Sequence, residues 1–134
     1  MKQIVNEKEF TPFLERFNNF YDSNIQSVTY SFNKGGSSKV DISILANDLL
    51  NPDAKGWTCV VVSLDQLSEM TIIQSKNIPL MSIANGIHLS VIDGEIALEF
   101  GGHYEQPENP EEFRKADAYA IGKTLSFEVF SPAI

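Results

Sequence analysis

The sequence predicts an α+β fold, with one N-terminal amphipathic helix packed on a curved, mostly antiparallel β-sheet of about six to eight strands. Three observations lead to this prediction. Aromatic residues recur at helical spacing near the N-terminus, and apolar residues alternate with polar ones in most of the segments that follow. Turn dipeptides separate these segments at the short intervals of hairpins, and no alternation of strands with helices is visible.

The N-terminal helix is indicated by large apolar residues three or four positions apart: Phe10, Phe13, Leu14, Phe17 and then Phe20 or Tyr21. Thr11 and Pro12 suit a cap and a first helical turn, so we expect the regular helix to begin there, after a looser turn at residues 7 to 10. An aromatic stripe of this kind is typical of a helix face buried in a core rather than of a cofactor site.

Residues 25 to 46 are predicted to form a hairpin. Apolar residues alternate on both sides of "NKGGSS", whose glycines tolerate the backbone angles of a tight turn. The next segment, "WTCVVVSL", is apolar on both faces and therefore indicates an interior strand. "SEMTIIQS" is predicted to be the strand after it.

A second hairpin is predicted at residues 86 to 101, because Asn85-Gly86 and Asp93-Gly94 are strong tight-turn dipeptides. A two-residue turn at Asp93-Gly94 pairs apolar residues on one face. On the other face it places His88 beside Glu99. This pattern predicts a sheet with one face in contact with water.

The C-terminal segment "DAYAIGKTLSFEVF" is predicted to form a final strand pair or one bent strand. Its Gly122-Lys123-Thr124 is similar to the end of a phosphate-binding loop. That loop needs a glycine where this chain has Asp117, so the motif is incomplete. A turn between two strands is the better interpretation.

Composition limits the classes of function. With 134 residues, 43% of them hydrophobic, the chain fits a single domain spanning residues 1–134. Its net charge of -8 would repel a phosphate backbone, which disfavours nucleic-acid binding, and it would favour a protein partner with a basic surface. Oligomeric state is not indicated.

Cys59 is the only cysteine, so no intramolecular disulfide can form, and a reducing compartment is the natural setting. The N-terminal "MKQIVNEKEF" lacks the apolar core of a signal peptide, and no apolar run approaches a membrane span. We therefore expect a cytoplasmic protein without a membrane partner.

No cofactor or metal site is predicted. A thiol at Cys59, within a run of valines, should be desolvated and unreactive, which disfavours a nucleophile paired with His88 or His103. One cysteine and two separated histidines match no structural zinc spacing, and the acidic residues after Gly102 lack the spacing of a calcium loop.

The two histidines leave alternatives open. His88 and Glu99 form either a general base with its orienting carboxylate or a cross-strand contact on a solvated face. His103 is either a binding residue in a flexible loop or an exposed loop histidine.

The segment from residue 102 to 112 is the most acidic part of the chain. We expect it to be an exposed loop that contacts a protein partner, with Tyr104 as an aromatic anchor and its carboxylates steering a basic surface. The predicted partner-binding residues are His103, Tyr104, Glu105, Glu108, Glu111 and Glu112.

Asp22 and Ser23 follow the predicted helix and precede the first strand of the hairpin. We predict a structural turn in which the Asp22 carboxylate accepts backbone N–H groups, as Asp and Ser commonly do. The alternative is an exposed partner contact.

The stretch Phe20–Val28, "FYDSNIQSV", resembles the helix-to-strand signature of small bacterial immunity proteins encoded near polymorphic-toxin genes, the immunity protein 50 family. The later "FRKADAYAIGKTLSFEVF" is broadly similar to the closing strands of such proteins. The family pattern carries Trp-Pro-Ser before the aromatic residue and His before the Asp, whereas this chain has Asn18-Asn19 and Tyr21. The resemblance implies a bacterial, cytosolic α+β protein that neutralises a toxin by binding it, without catalysis.

Two functional hypotheses follow. The first is a non-catalytic protein-binding module of the toxin-neutralising kind. The second is a small enzyme or ligand-binding protein that uses the His88 and Glu99 face or the His103 loop. A pocket that brings both histidines together with Glu99 or Glu105 and shows perturbed titration would favour the second, whereas a flat acidic face beside the 102 to 112 loop would favour the first.

Overall fold

The N-terminal region folds as a short strand followed by a helix with a 3-10 turn on each side. The computed structural model describes residues 2–50, 57–73, 82–83, 85–101 and 105–130. It places strand β1 at Gln3–Val5 and helix α1 at Phe10–Arg16, with the 3-10 turns at Glu7–Glu9 and Asn18–Phe20. The helix therefore begins one residue before Thr11, and Pro12 lies in its first turn.

The aromatic repeat continues past the end of α1. The prediction of one helix reaching Phe20 is wrong in its last part, because Asn18, Asn19 and Phe20 have positive φ angles of 55°, 54° and 60°, which a right-handed helix does not contain. Phe17 and Phe20 are nevertheless fully buried. Their ring centroids each lie 5.7 Å from that of Phe13. The spacing thus identified the buried side chains correctly although the backbone is not helical throughout.

Six strands form the first sheet, in the order β1-β10-β4-β3-β2-β6, and all their pairings are antiparallel. The predicted hairpin is formed by β2 and β3, and β4 is the predicted interior strand, between β3 and β10. The strands that follow β1 in this sheet are β2 (Ser23–Phe32), β3 (Ser38–Ala46), β4 (Thr58–Asp65), β6 (Ser82–Ile83) and β10 (Thr124–Phe130).

Four strands form the second sheet, also antiparallel, in the order β5-β9-β8-β7. They are β5 (Glu69–Ile72), β7 (His88–Ile92), β8 (Glu95–Gly101) and β9 (Ala118–Gly122). The second hairpin has the predicted register, with Leu89 opposite Leu98 and His88 opposite Glu99. Its turn residues Asp93 and Gly94 have φ angles of 51° and 79°, as a two-residue turn of this type requires.

The chain passes from the second sheet to the first between β9 and β10, next to the end of β4. The backbone N–H of Lys123, between β9 and β10, donates to the carbonyl oxygen of Asp65 at the end of β4, at 2.9 Å. A Cβ atom at Gly122 would lie 2.7 Å from the same carbonyl oxygen, so only glycine fits this approach. The Gly122-Lys123-Thr124 motif is therefore a turn between strands, as predicted.

Buried apolar side chains form two clusters. The larger combines side chains from α1 and both sheets. The smaller consists of Ile92, Ala97, Phe113, Ala116, Tyr119 and Ile121 on the other face of the second sheet. The prediction that this face is in contact with water is wrong, because the segment around the one-turn helix α2 (Pro110–Phe113) covers it with Phe113 and Ala116.

The α+β class with mostly antiparallel strands is confirmed. The described residues contain ten strands in two sheets, rather than about six to eight in one. The expected curvature of a single sheet stays a prediction.

Candidate functional site

His88 and Glu99 form a short hydrogen bond on the covered face of the second sheet. Their strands β7 and β8 place them directly opposite each other, and the Nδ1 atom of His88 lies 2.6 Å from Oε1 of Glu99. The Glu99 residue is 0% exposed, whereas the His88 side chain retains 12% of its exposure. The predicted pair therefore exists, but its carboxylate is buried instead of solvated.

The backbone after Glu99 holds the second oxygen of this carboxylate. The pairing of β8 with β9 shifts between Glu99 and Gly101, and the Gly101 N–H donates to Oε2 of Glu99 at 2.6 Å. A buried carboxylate needs its oxygens satisfied in this way, because an unpaired charge is costly away from water. Glu99 is thus fixed in position from both sides.

This arrangement assigns the proton positions on the His88 ring. A carboxylate accepts hydrogen bonds, so Nδ1 of His88 carries the proton that faces Glu99. In the neutral ring the other nitrogen, Nε2, is then an acceptor. Among the described residues no hydrogen bond occupies Nε2, so this atom is available to a bound group.

His88 lines an open cleft of about 370 Å³, which lies within the roughly 300–1,000 Å³ of typical ligand pockets. We call it the histidine cleft. Polar and aromatic side chains predominate in it, with an apolar contribution from Leu14 and Ile87. The described residues that line it are Leu14, Asn19, Tyr21, Asn85, Ile87, His88, Glu105 and Gln106.

The cleft is assembled from segments that are far apart in the sequence. The carbonyl oxygen of Asn19 accepts the N–H of Ile87 at 3.2 Å, which joins the turn after α1 to the start of β7. Gly86 has a φ of 79°, and a Cβ there would collide with the Asn19 carbonyl. Gln106 donates from Nε2 to the Leu89 carbonyl at 3.0 Å, which fixes the opposite wall. Sequence periodicity carries no signal for such contacts.

Asp22 and Ser23 follow Tyr21 in the chain, where β2 begins. Asp22 is exposed and has a positive φ of 55°. Within the described ranges its carboxylate accepts no hydrogen bond, and the buried Ser23 hydroxyl has no partner either. The conformation is that of a turn residue, but the predicted stabilisation by the Asp22 carboxylate stays a prediction.

The acidic segment divides into residues with different surroundings. Glu105 lines the histidine cleft, whereas Glu108 and Glu111 are exposed outside the set of lining residues. Glu112 is part of a cap on α2, because its Oε2 accepts the Glu108 N–H at 2.8 Å and its own N–H donates to Asn109. His103 and Tyr104 lie outside the described residues, so their predicted roles stay predictions.

A second polar cluster anchors the end of α2 to the edge strand β5. Glu69 accepts hydrogen bonds from Arg114 at 2.9 Å and from the Tyr119 hydroxyl at 2.5 Å, and these bonds lower the pKa of the Glu69 carboxyl. Burial, together with the bond to Glu69, raises the pKa of Tyr119, and Glu69 raises the pKa of Arg114. The cluster holds the covering segment on the sheet.

The remaining candidates lie elsewhere. Cys59 is on β4 of the first sheet, half-buried, with its sulfur 3.4 Å from the Ser43 hydroxyl. In the described part of the chain, no group of three or more His, Cys, Asp and Glu side chains is placed to hold a metal ion. No helix within these ranges is long and apolar enough to cross a membrane.

Comparison of the chain with known proteins found no matching family model, no matching curated protein and no matching solved structure.

Proposed function

We propose that this protein is a non-catalytic binding module that recognises a protein partner with a basic surface, and that the histidine cleft is its recognition site. One observation carries the proposal. The exposed residue Glu105 and the aromatic residue Tyr21, which is 46% exposed, line the same open cleft as His88. A carboxylate beside an aromatic face is a combination that attracts cationic side chains.

The charge of the whole molecule supports this partner class. The net charge of -8 and the exposed Glu108 and Glu111 would steer a basic surface toward the cleft and speed its association. Steering of this kind is screened by salt, so association should slow as ionic strength rises.

The resemblance to immunity proteins supports the same class of function. Tyr21 belongs to the stretch Phe20–Val28 that carries the resemblance, and it also lines the cleft. A toxin with a basic surface would be a partner of the proposed kind. Binding would neutralise the toxin if this protein covered the toxin's active site or target-binding surface.

The test is affinity capture from the native cells with two matched variants. Glu105→Gln and Glu111→Gln remove the same charge, but only Glu105 lines the cleft. We expect a captured protein to be retained by wild type and Glu111→Gln and largely lost by Glu105→Gln, with all three equally folded by circular dichroism. Equal retention by all three variants would contradict the proposed site.

A second candidate function rests on the geometry of Glu99 and His88. A buried carboxylate that orients an imidazole toward an open cleft is also the arrangement of a general base. The residues described along the cleft include no Ser, Thr or Cys, so the base would act on a water molecule or directly on a proton of the substrate. If a panel of hydrolytic substrates showed turnover that His88→Gln lowered by about a hundredfold or more, catalysis would replace binding as the preferred function.

A further inference from the structure

We propose that the group received by the histidine cleft is a guanidinium, the head of an arginine side chain on the partner. This inference rests on the proposed function and goes further, because it names the side chain that is recognised. It follows from the hydrogen-bond acceptors that the lining residues offer to a bound group.

Besides the amides of Asn19 and Asn85 and the hydroxyl of Tyr21, which can donate or accept, three side chains that line the cleft offer acceptors. Glu105 presents an exposed carboxylate. Gln106 uses its amide nitrogen for the Leu89 carbonyl, so its remaining amide oxygen is an acceptor. His88 presents Nε2, because Glu99 holds the proton on Nδ1.

A guanidinium matches this set better than other charged groups. It carries five N–H donors and no acceptor, and they lie in one plane with a spacing that suits a carboxylate. An anion is disfavoured, because Glu105 is at the wall, Glu99 lies behind His88, and none of the described lining residues is Lys or Arg.

Arginine is favoured over lysine by the apolar and aromatic parts of the cleft. The exposed ring of Tyr21 offers a face on which a planar guanidinium can stack, an interaction that a compact ammonium group makes less well. Leu14 and Ile87 offer contact to the methylene groups of the side chain. The cleft thus has a separate surface for each part of an arginine.

The test uses three small probes and the labelled protein. N-acetyl-arginine amide is titrated while the His88 ring resonances are followed by NMR, with a His103→Gln variant to assign them. N-acetyl-lysine amide tests the shape of the cation, and N-acetyl-citrulline amide keeps the arginine shape without its charge. We expect saturable His88 shifts with the arginine probe, weaker binding of lysine and none of citrulline.

The variants locate the site. Glu105→Gln should weaken arginine-amide binding about tenfold, as expected for loss of a charge-assisted hydrogen bond, while Glu111→Gln leaves it unchanged. Absence of a saturable His88 shift up to the solubility limit of the probe, or equal binding of citrulline, would overturn the inference.

The outcome separates this inference from the proposed function. A captured partner that depends on Glu105, together with no arginine-amide binding, would retain the protein-binding function and reject the guanidinium. Arginine-amide binding with no partner that depends on Glu105 would retain the guanidinium site and reject the protein partner.

Discussion

Two carboxylates in this molecule, those of Asp48 and Glu99, are each hydrogen-bonded to a basic side chain. The two pairs differ in the hydrogen-bonding atoms that they leave without a partner. Arg16 and Asp48 join the end of α1 to the segment after β3, with two bonds of 3.0 and 2.9 Å. His88 and Glu99 join β7 to β8 with one bond of 2.6 Å. Both carboxylates are almost fully buried, at 3% side-chain exposure for Asp48 and 1% for Glu99.

Both members of the first pair make further contacts within the chain, although the Arg16 side chain is 21% exposed. Asp48 also accepts the N–H of Leu50 at 3.1 Å, and the Arg16 guanidinium carbon lies 4.9 Å from the Phe17 ring centroid and 5.5 Å from that of Phe127. The second pair leaves Nε2 of His88 to the cleft. The comparison teaches that the two pairs differ in bonding rather than in exposure. Arg16 binds both carboxylate oxygens of Asp48, whereas His88 binds one oxygen of Glu99 and keeps a ring nitrogen without a hydrogen bond among the described residues, which is why we propose His88 for recognition.

The largest expected effect on stability is that of Glu99→Ala. It leaves His88 Nδ1 and the Gly101 N–H without an acceptor in a buried environment, so we expect a loss of about 3 kcal/mol in the free energy of unfolding. Urea denaturation measures it. Glu99→Gln keeps an acceptor for Gly101 and should cost clearly less. A Glu99→Ala protein as stable as wild type would show that the pair is not held as described.

Asp48→Ala should have the next largest effect, about 2 kcal/mol, since it removes the charge-assisted bonds from Arg16. Unlike changes in the histidine cleft, it should leave partner retention unchanged once the protein is folded. Loss of retention at full folding would contradict the division between a structural and a recognition pair.

The pH dependence of stability should also distinguish Asp48. Hydrogen bonds from Arg16 lower the pKa of the Asp48 carboxyl in the folded protein. Its ionised form therefore stabilises the fold above the pKa of the unfolded chain, and this contribution is lost as pH falls through the lower, folded pKa. We expect the difference in stability between wild type and Asp48→Ala to shrink as the pH is lowered below about 4. A constant difference over this range would contradict the pKa shift.

Tyr119→Phe should cost about 1 kcal/mol, because it removes the buried hydroxyl that donates to Glu69. The bond from Arg114 to Glu69 remains, and the Arg114 side chain is 42% exposed, so Arg114→Gln should cost less. Thermal unfolding of the two variants gives the ranking. The reverse ranking would show that the ion pair, rather than the hydroxyl, holds α2 to β5.

The smallest effects on stability are expected at the exposed carboxylates of the acidic segment. Glu105→Gln, Glu108→Gln and Glu111→Gln should each change stability by less than about 0.5 kcal/mol, because solvated charges contribute little. Glu112→Ala should cost more than any of them, since Glu112 caps α2. Equal stability of all four variants would remove the structural role assigned to Glu112.

Much of the fold follows from local sequence signals. The Asp93-Gly94 turn fixes the register that places His88 opposite Glu99, and the alternation of residues predicts most strands. The burial of Glu99 does not follow, because its face of the second sheet is covered by a polar segment that has no strand or helix period and that contributes Phe113 and Ala116 to the core. The turn that ends α1 does not follow from the sequence either, because Phe17 and Phe20 keep helical spacing while the backbone leaves the helix.

The site is less predictable than the fold because contacts between distant segments bring its residues together. Glu105 was predicted to contact a partner, and His88 was predicted as a candidate. Tyr21 and Gln106 were not predicted to share a site with them. They meet only because the turn after α1 docks on the start of β7 and the Gln106 amide docks on the Leu89 carbonyl. Such contacts depend on the assembled sheets, which no local pattern encodes.

The most direct test of the account is the position of the proton on the His88 ring. Long-range proton–nitrogen NMR spectra report it at a pH where the ring is neutral, with assignment by the His103→Gln variant. The account predicts a protonated Nδ1 and an unprotonated Nε2 in wild type. It also predicts a switch to protonated Nε2 in Glu99→Gln, whose amide donates to Nδ1. A protonated Nε2 in the wild-type protein would contradict it, because the cleft would then face its ligand with a donor and Glu99 would not orient the ring.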